Sequence, residues 1–333
     1  MIEDRIRNML GRDERSEAAI TRIQGDASSR QYFRAATPNR TLIACYDPLF
    51  EGRDAAGYPF LVMHRLFSAH AVPVPEIVSA DSTSGLIMQE DCGNLQLQDA
   101  LAAASPETAA LLYQDAVELM IRIQRIPRST EPVPFSLSFD MEKLMFEFDF
   151  FIEHAILGYF GDWFSEGDAL ALRMEFEAIA RLLVRPEQFV LNHRDYHSRN
   201  ILIHRGRPVV IDFQDARMGL SQYDAASLLR DSYSRLPDKL VLDLQRLHHE
   251  GLASAGIHRE GFDGYLRMFD IMAFQRNIKA LGTFAFQMKQ PGKASFEASI
   301  PPTLAYLPRY IERHRELQGA GRILQRVLEG EGR

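Results

Sequence analysis

Residues 193–200 read HRDYHSRN. His193, Asp195 and His197 alternate, and Asn200 stands five positions after Asp195. On this stretch alone three readings are open: a metal site, a phosphoryl-transfer site, or a polar turn without chemistry. Asp212 narrows the choice. It stands in Asp212-Phe213-Gln214, at the end of ILIHRGRPVVIDF. ILIH and PVVIDF read as short strands around the turn signal RGR. A two-strand return brings Asp212 back beside Asn200. With Asp195, that collects two carboxylates and an amide at one end of a hairpin. Phosphoryl transfer needs such a set. One carboxylate accepts the proton of the attacking hydroxyl, while a second carboxylate and an amide oxygen hold Mg²⁺ against the phosphates.

The elements around this set divide the chain. Residues 1–19 read as a short amphipathic helix. ITRIQG, QYFRAAT and TLIACYD read as three short strands, with TPNR as the turn between the second and third. YPFLVMHRLFSAHAV has apolar residues at helical spacing, and PVPEIV breaks it. SGLIMQED is another apolar strand, and DCGN (91–94) reads as a turn and hinge. Beyond it, ETAALLYQDAVELMIRIQRI and MEKLMFEFDFFIEHAILGYF are strong helices. The expected fold is α+β with two lobes. A small antiparallel-sheet N-lobe covers 1–91, and a larger, mainly helical C-lobe covers 92–333.

Composition removes several classes. The chain has 333 residues, a net charge of −7 and 25% charged residues. An acidic balance argues against general affinity for nucleic acid. The two cysteines, Cys45 and Cys92, form no CxxC pattern, so a Cys-based zinc site or disulfide framework is not expected. A reducing cytoplasm fits. The charged N-terminus has no apolar core of a signal peptide, and no run of about 18 apolar residues suggests a membrane span.

HRDYHSRN matches H-R-D-x-x-x-x-N of the protein-kinase pattern in full, while DFQ replaces its DFG. HRDYHSRN, VVIDFQDARMG and YDAASLLRDSY together resemble the aminoglycoside phosphotransferase group of the kinase-like superfamily. GDASSRQYFR (25–34), MQEDCGN (88–94) and FQRNIKALGTFA (274–285) narrow the resemblance to bacterial anomeric kinases of N-acetylmuramate and N-acetylglucosamine. The resemblance spans nearly the whole chain. It implies a protein-kinase-like two-lobe fold, ATP and Mg²⁺ as cofactors, and a small sugar as acceptor. Asp195 is then the catalytic base, Asn200 and Asp212 hold magnesium, and Asp224 braces the catalytic loop. Gly25, Asp26, Ser28 and Ser29 belong to the loop over the ATP phosphates, and Gln89, Glu90 and Asp91 stand where adenine meets the hinge.

The chain departs from the kinase pattern in one respect. The third strand, TLIACYD, has no Lys, so Arg30 or Arg34 is expected to supply the phosphate cation. Other residues have competing readings. Arg230 and Asp231 line the sugar pocket or pair with each other and their neighbours. Gln275, Arg276 and Lys279 form a polar helix face that can meet a sugar or its carboxylate. His193 and His197 are read as loop-bracing, Trp163 as core, and the pair His248-His249 as surface. Three rival functions stay open. The first is a metal hydrolase built on His193, Asp195 and His197. The second is a kinase-like binding module without turnover. The third is a kinase for an aminoglycoside, choline or another small alcohol.

Overall fold

The computed structural model describes residues 1–11, 13–23, 30–129 and 132–330. The chain forms two compact units. A sheet unit comprises Met1–Gln96 and Ile201–Asp215. A helical unit comprises Leu97–Asn200 and Ala216–Arg333. The α+β class expected from the sequence is what the structure has. The hairpin at 201–215 groups with the N-terminal sheet rather than with the helices that flank it in sequence. A single cut at 91/92 therefore does not reproduce the division.

The sheet unit is built on five antiparallel strands: β1 (Ala19–Ile23), β2 (Gln31–Ala36), β3 (Thr41–Tyr46), β4 (Ile77–Asp81) and β5 (Leu86–Glu90), in the order β1-β2-β3-β5-β4. Apolar residues alternate, so Phe33 and Ala35, Leu42 and Ala44, and Leu86 and Met88 share one face. The N-terminal helix covers that face with Ile6, and Leu10 follows it. This helix is only Ile2–Met9, shorter than the expected 1–19. β4 begins right after the Pro-rich PVPE that was read only as a break. Phe213 packs against Phe60 and Phe67 of the helix Pro59–Ala69, at 5.0 and 5.7 Å between ring centroids. The hairpin pairs Ile201–His204 with Arg207–Val210. Its two turn residues, Arg205 and Gly206, both have positive φ, 50° and 75°. That geometry suits the strand twist and explains why glycine stands there.

The helical unit centres on the 27-residue helix Phe262–Met288, which buries residues on nearly every side. A helix apolar on all faces belongs inside a bundle. Gly282 lets it approach the helix Met141–Phe151 closely, since a Cβ there would sit 2.8 Å from the Phe151 Cα. That partner helix continues as a π-helix over Ile152–Tyr159. A two-stranded ladder, Val190–Asn192 with Arg217–Gly219, was not anticipated, because three residues carry too little pattern. It fixes the start of the 193–200 loop.

Candidate active site

The loop at 193–200 is held by buried carboxylates from the segment that follows it. His193 and Arg194 donate their backbone N–H groups to Asp224, at 2.6 and 3.0 Å. Arg194 has φ 85°, a strained turn that these bonds hold in place. Asp224 lies in the helix Gln222–Leu229, and burial pushes its carboxyl up to about 7 against those two bonds. Ser198 donates its N–H and hydroxyl to Asp231, at 2.9 and 2.6 Å, and the Tyr233 N–H takes the other Asp231 oxygen at 3.0 Å. The Tyr196 hydroxyl donates to the Ala116 carbonyl at 2.7 Å. The Asn200 Nδ2 donates to the Asp195 carbonyl at 3.0 Å.

With its backbone so fixed, Asp195 turns its carboxylate toward a cavity of about 130 Å³ within the helical unit. The carboxylate is 26% exposed, and its Oδ1 accepts from Lys279 Nζ at 2.9 Å. Arg194 Nε lies 3.9 Å from Oδ2. Burial alone would raise the Asp195 carboxyl, but the charges of Lys279, Arg194 and Arg276 outweigh it. They hold the group well below the usual carboxylate range. Burial pulls Lys279 down, reinforced by the Arg276 charge. His197 also lines the cavity, and burial keeps it neutral by lowering it to about 3.

The cavity brings together Asp195, Arg230, Asp231, Arg276 and Lys279. Of the two readings of Asp231, its hydrogen bonds match pairing with neighbours: both of its oxygens are spent on the loop and Tyr233. Gln275 is not at this cavity. It is fully buried and donates to Glu147 Oε2 at 2.8 Å. Tyr233, Asn277, Thr283 and Phe284 line the cavity and were not singled out from the sequence. Their signal was present: 276, 279, 280 and 283 recur at helical spacing and share one face. The pair His248-His249 was read as surface, yet His248 is fully buried. It contacts the Tyr265 hydroxyl and the Gln124 side-chain oxygen, both at 2.8 Å. Trp163 is only half-buried, stacked on Phe160.

In the sheet unit the two arginines are both engaged. Arg34 grips Asp91 with two bonds, at 2.7 and 3.0 Å, and reaches Asn94 at 2.6 Å. Arg30 donates to the buried Asp47 at 2.6 Å, and Tyr58 donates to the same carboxylate. Gln89 is buried in the ladder opposite Ile43 and Ile77. The Glu90 carboxylate lies 3.5 Å from His204, and its N–H donates to the Glu76 carbonyl at 2.8 Å. Gly25, Asp26, Ser28 and Ser29 lie outside the described residues.

The donor set bears on which metal the chain can take. Among the described residues no group of three His, Cys, Asp or Glu side chains can hold a metal ion, so a protein-only zinc site lacks its ligands there. A hard cation that draws on substrate oxygens needs fewer protein ligands. Asn200 commits its Nδ2 to the Asp195 carbonyl, which leaves the amide oxygen available. Asp212 has φ 62° and accepts from Gln214 at Oδ1, 2.8 Å, with its second oxygen remaining. Each of the two residues thus has an oxygen of the kind a hard cation takes.

Comparison with known proteins places these features. A profile described as "Phosphotransferase enzyme family" matches residues 19–259. An N-acetylmuramate/N-acetylglucosamine kinase of Neisseria meningitidis is 32% identical over 301 residues, covering 90% of this chain and 87% of that one. A kinase of the same name from Pseudomonas aeruginosa is 29% identical, covering 94% and 90%. The fold is shared with an ethanolamine kinase of Plasmodium vivax, at TM-score 0.66 and 12% identity over 93% of this chain and 88% of that one. It is shared also with a choline kinase of Cryptosporidium parvum, at TM-score 0.62 and 14% identity over 96% of each chain. With a match spanning most of its length and both units of its fold, the chain belongs to the phosphotransferase enzyme family.

Proposed function

We propose that this phosphotransferase transfers the terminal phosphoryl group of ATP to the anomeric hydroxyl of N-acetylmuramate, N-acetylglucosamine or both, giving the sugar 1-phosphate. The observation that carries this reading is Asp195, presented to an open cavity and held ionised by Lys279. The relatives at 29–32% identity support the choice of sugar. The acceptor occupies the cavity with Arg230, Arg276 and Lys279 around it. Asp231 and Gln275 act behind them, through Ser198 and Glu147.

The Asp195 carboxylate takes the hydroxyl proton as the new bond to phosphorus forms. A carboxylate held this low is a weak base. That suffices here, because the ring oxygen makes an anomeric hydroxyl more acidic than an ordinary alcohol, and phosphoryl transfer depends mainly on positioning and charge. Asn200 and Asp212 are the proposed magnesium ligands. The ion, when bound, neutralises phosphate charge. Both arginines are paired with a carboxylate, and Arg30, held by Asp47 through one bond, is the better candidate for the phosphate cation. Tyr32 and Cys45 feel both its charge and that of Asp212, whereas Arg34 is taken up by Asp91 and Asn94. The thiols of Cys45 and Cys92 are both free and buried, which suits a reducing cytoplasm. Among the described residues, no helix is long and apolar enough to cross a membrane.

The test is ADP release with Mg·ATP against N-acetylmuramate, N-acetylglucosamine, glucose, kanamycin and choline. Release with the amino sugars, with a phosphate on C1 in the product, supports the reading. Release only with kanamycin or choline would replace it with another small-alcohol kinase. ATP binding without release on any acceptor would favour a binding module.

A further inference from the structure

The cavity has three cations, and they differ in what balances them. Lys279 sits on Asp195 at 2.9 Å. Arg230 donates Nη1 to Asp238 at 3.2 Å. Arg276 has no such partner. Its Nε donates to the Ser227 hydroxyl at 2.7 Å, its Nη1 donates to the Tyr223 hydroxyl at 3.0 Å, and its guanidinium lies over the Tyr223 ring at 4.6 Å. Those groups are neutral. Among the described residues no carboxylate comes within ion-pairing distance of it, although it is only 7% exposed. Asp195 acts on it only from farther away, and that charge is already matched by Lys279 and Arg194.

A guanidinium cannot lose its proton to escape burial, so an unpaired one is costly. Neutral donors would brace Ser227 and Tyr223 without that cost. The arrangement makes sense if an anion completes it. Arg276 opens onto the same cavity as Asp195. The anion can come from the acceptor or from the donor phosphates. Arg276 lines the cavity that the Asp195 carboxylate faces, where the acceptor hydroxyl has to sit, and this favours the acceptor.

We propose that Arg276 binds a carboxylate of the acceptor sugar, and that the enzyme therefore prefers N-acetylmuramate to N-acetylglucosamine. This rests on the sugar-kinase reading above. The two sugars differ by the lactyl ether on C3 of N-acetylmuramate, which ends in a carboxylate. C3 is two ring positions from C1, so one sugar can offer its anomeric hydroxyl to Asp195 and its carboxylate to Arg276. A charge-assisted bond of this kind discriminates by roughly tenfold or more.

The experiment measures kcat/KM of the wild-type protein for N-acetylmuramate, its lactyl methyl ester and N-acetylglucosamine, and then repeats it with Arg276→Met and Arg276→Lys. The expected result is a roughly tenfold or greater advantage of the free acid over both neutral sugars, carried by KM. Arg276→Met should collapse that advantage, and Arg276→Lys should restore part of it. The wild-type comparison stands even if Arg276→Met does not fold. Equal efficiency for acid, ester and N-acetylglucosamine would overturn this inference and leave the sugar-kinase reading intact. A preference for the acid that survives in Arg276→Met overturns it too, as does a rise in KM for ATP with no change in sugar preference. The latter would assign Arg276 to the donor phosphates. No turnover of any of the three sugars would remove the sugar-kinase reading, and this inference with it.

Discussion

Arg30 and Arg34 of the sheet unit and Arg276 of the helical unit are balanced differently. In the sheet unit Arg30 meets Asp47, which is 1% exposed, and Arg34 meets Asp91 with a two-bond fork. In the helical unit Arg276 is as deeply placed, yet bonds only to hydroxyls. Pairing inside the chain balances a charge before any ligand arrives, whereas an unpaired one beside a cavity is balanced only when a ligand binds. The same contrast applies to carboxylates. Asp224 and Asp231 are consumed by loop N–H groups, while Asp195 keeps a face toward the cavity.

The largest expected effect tests the exposed side of this contrast. Asp195→Asn should lower kcat by about 10²- to 10⁴-fold, the usual contribution of a positioned base, with ATP affinity nearly unchanged. Loss of ATP binding would instead move Asp195 into the metal's coordination. The next effect tests the paired side. Asp47→Ala strands the Arg30 charge and should cost about 3 kcal/mol in urea denaturation. Arg276→Met strands no carboxylate and should cost about 1 kcal/mol, the scale of two lost neutral contacts. Equal losses in the two variants would break the comparison.

A smaller effect comes from protons. Burial lowers His248 to about 3, with the charges of His258 and His249 adding to the shift, and burial lowers His258 to about 4. Both are neutral in the fold, while an unfolded histidine takes up a proton below about 6.5. The unfolded state therefore binds more protons as pH falls, so stability is full above about 6.5 and declines toward the folded values. The urea midpoint should drop between pH 7 and pH 5, and drop less in His248→Gln. The smallest effect is Arg34→Ala. This pair is partly exposed, and its loss should cost under about 1 kcal/mol.

Much of the site could be read along the chain. Asp195 and Asn200 share one short loop, and Asp212 follows one tight hairpin, so local geometry ties their spacing to their placement. Arg276 and Lys279 are one helical turn apart, which puts them on one face in any packing. Other assignments were not readable. Asp231 as a loop brace depends on Ser198, and Gln275 turns to Glu147, far away in sequence. His248 was misread because His-His in a polar stretch does not reveal a partner such as Gln124. β4 was hidden by neighbouring prolines and by its half-buried, edge position in the sheet.

The sequence by itself determined the class of chemistry, the two-part α+β plan and the loop that carries the candidate base, because each rests on contacts close in the chain. Only the tertiary structure decided which charges are spent and which stay available. What satisfies a buried charge is settled by whatever backbone or side-chain group folding brings within about 4 Å, and for Arg34, Asp224 and Arg276 the bonded groups come from 57, 31 and 53 positions away.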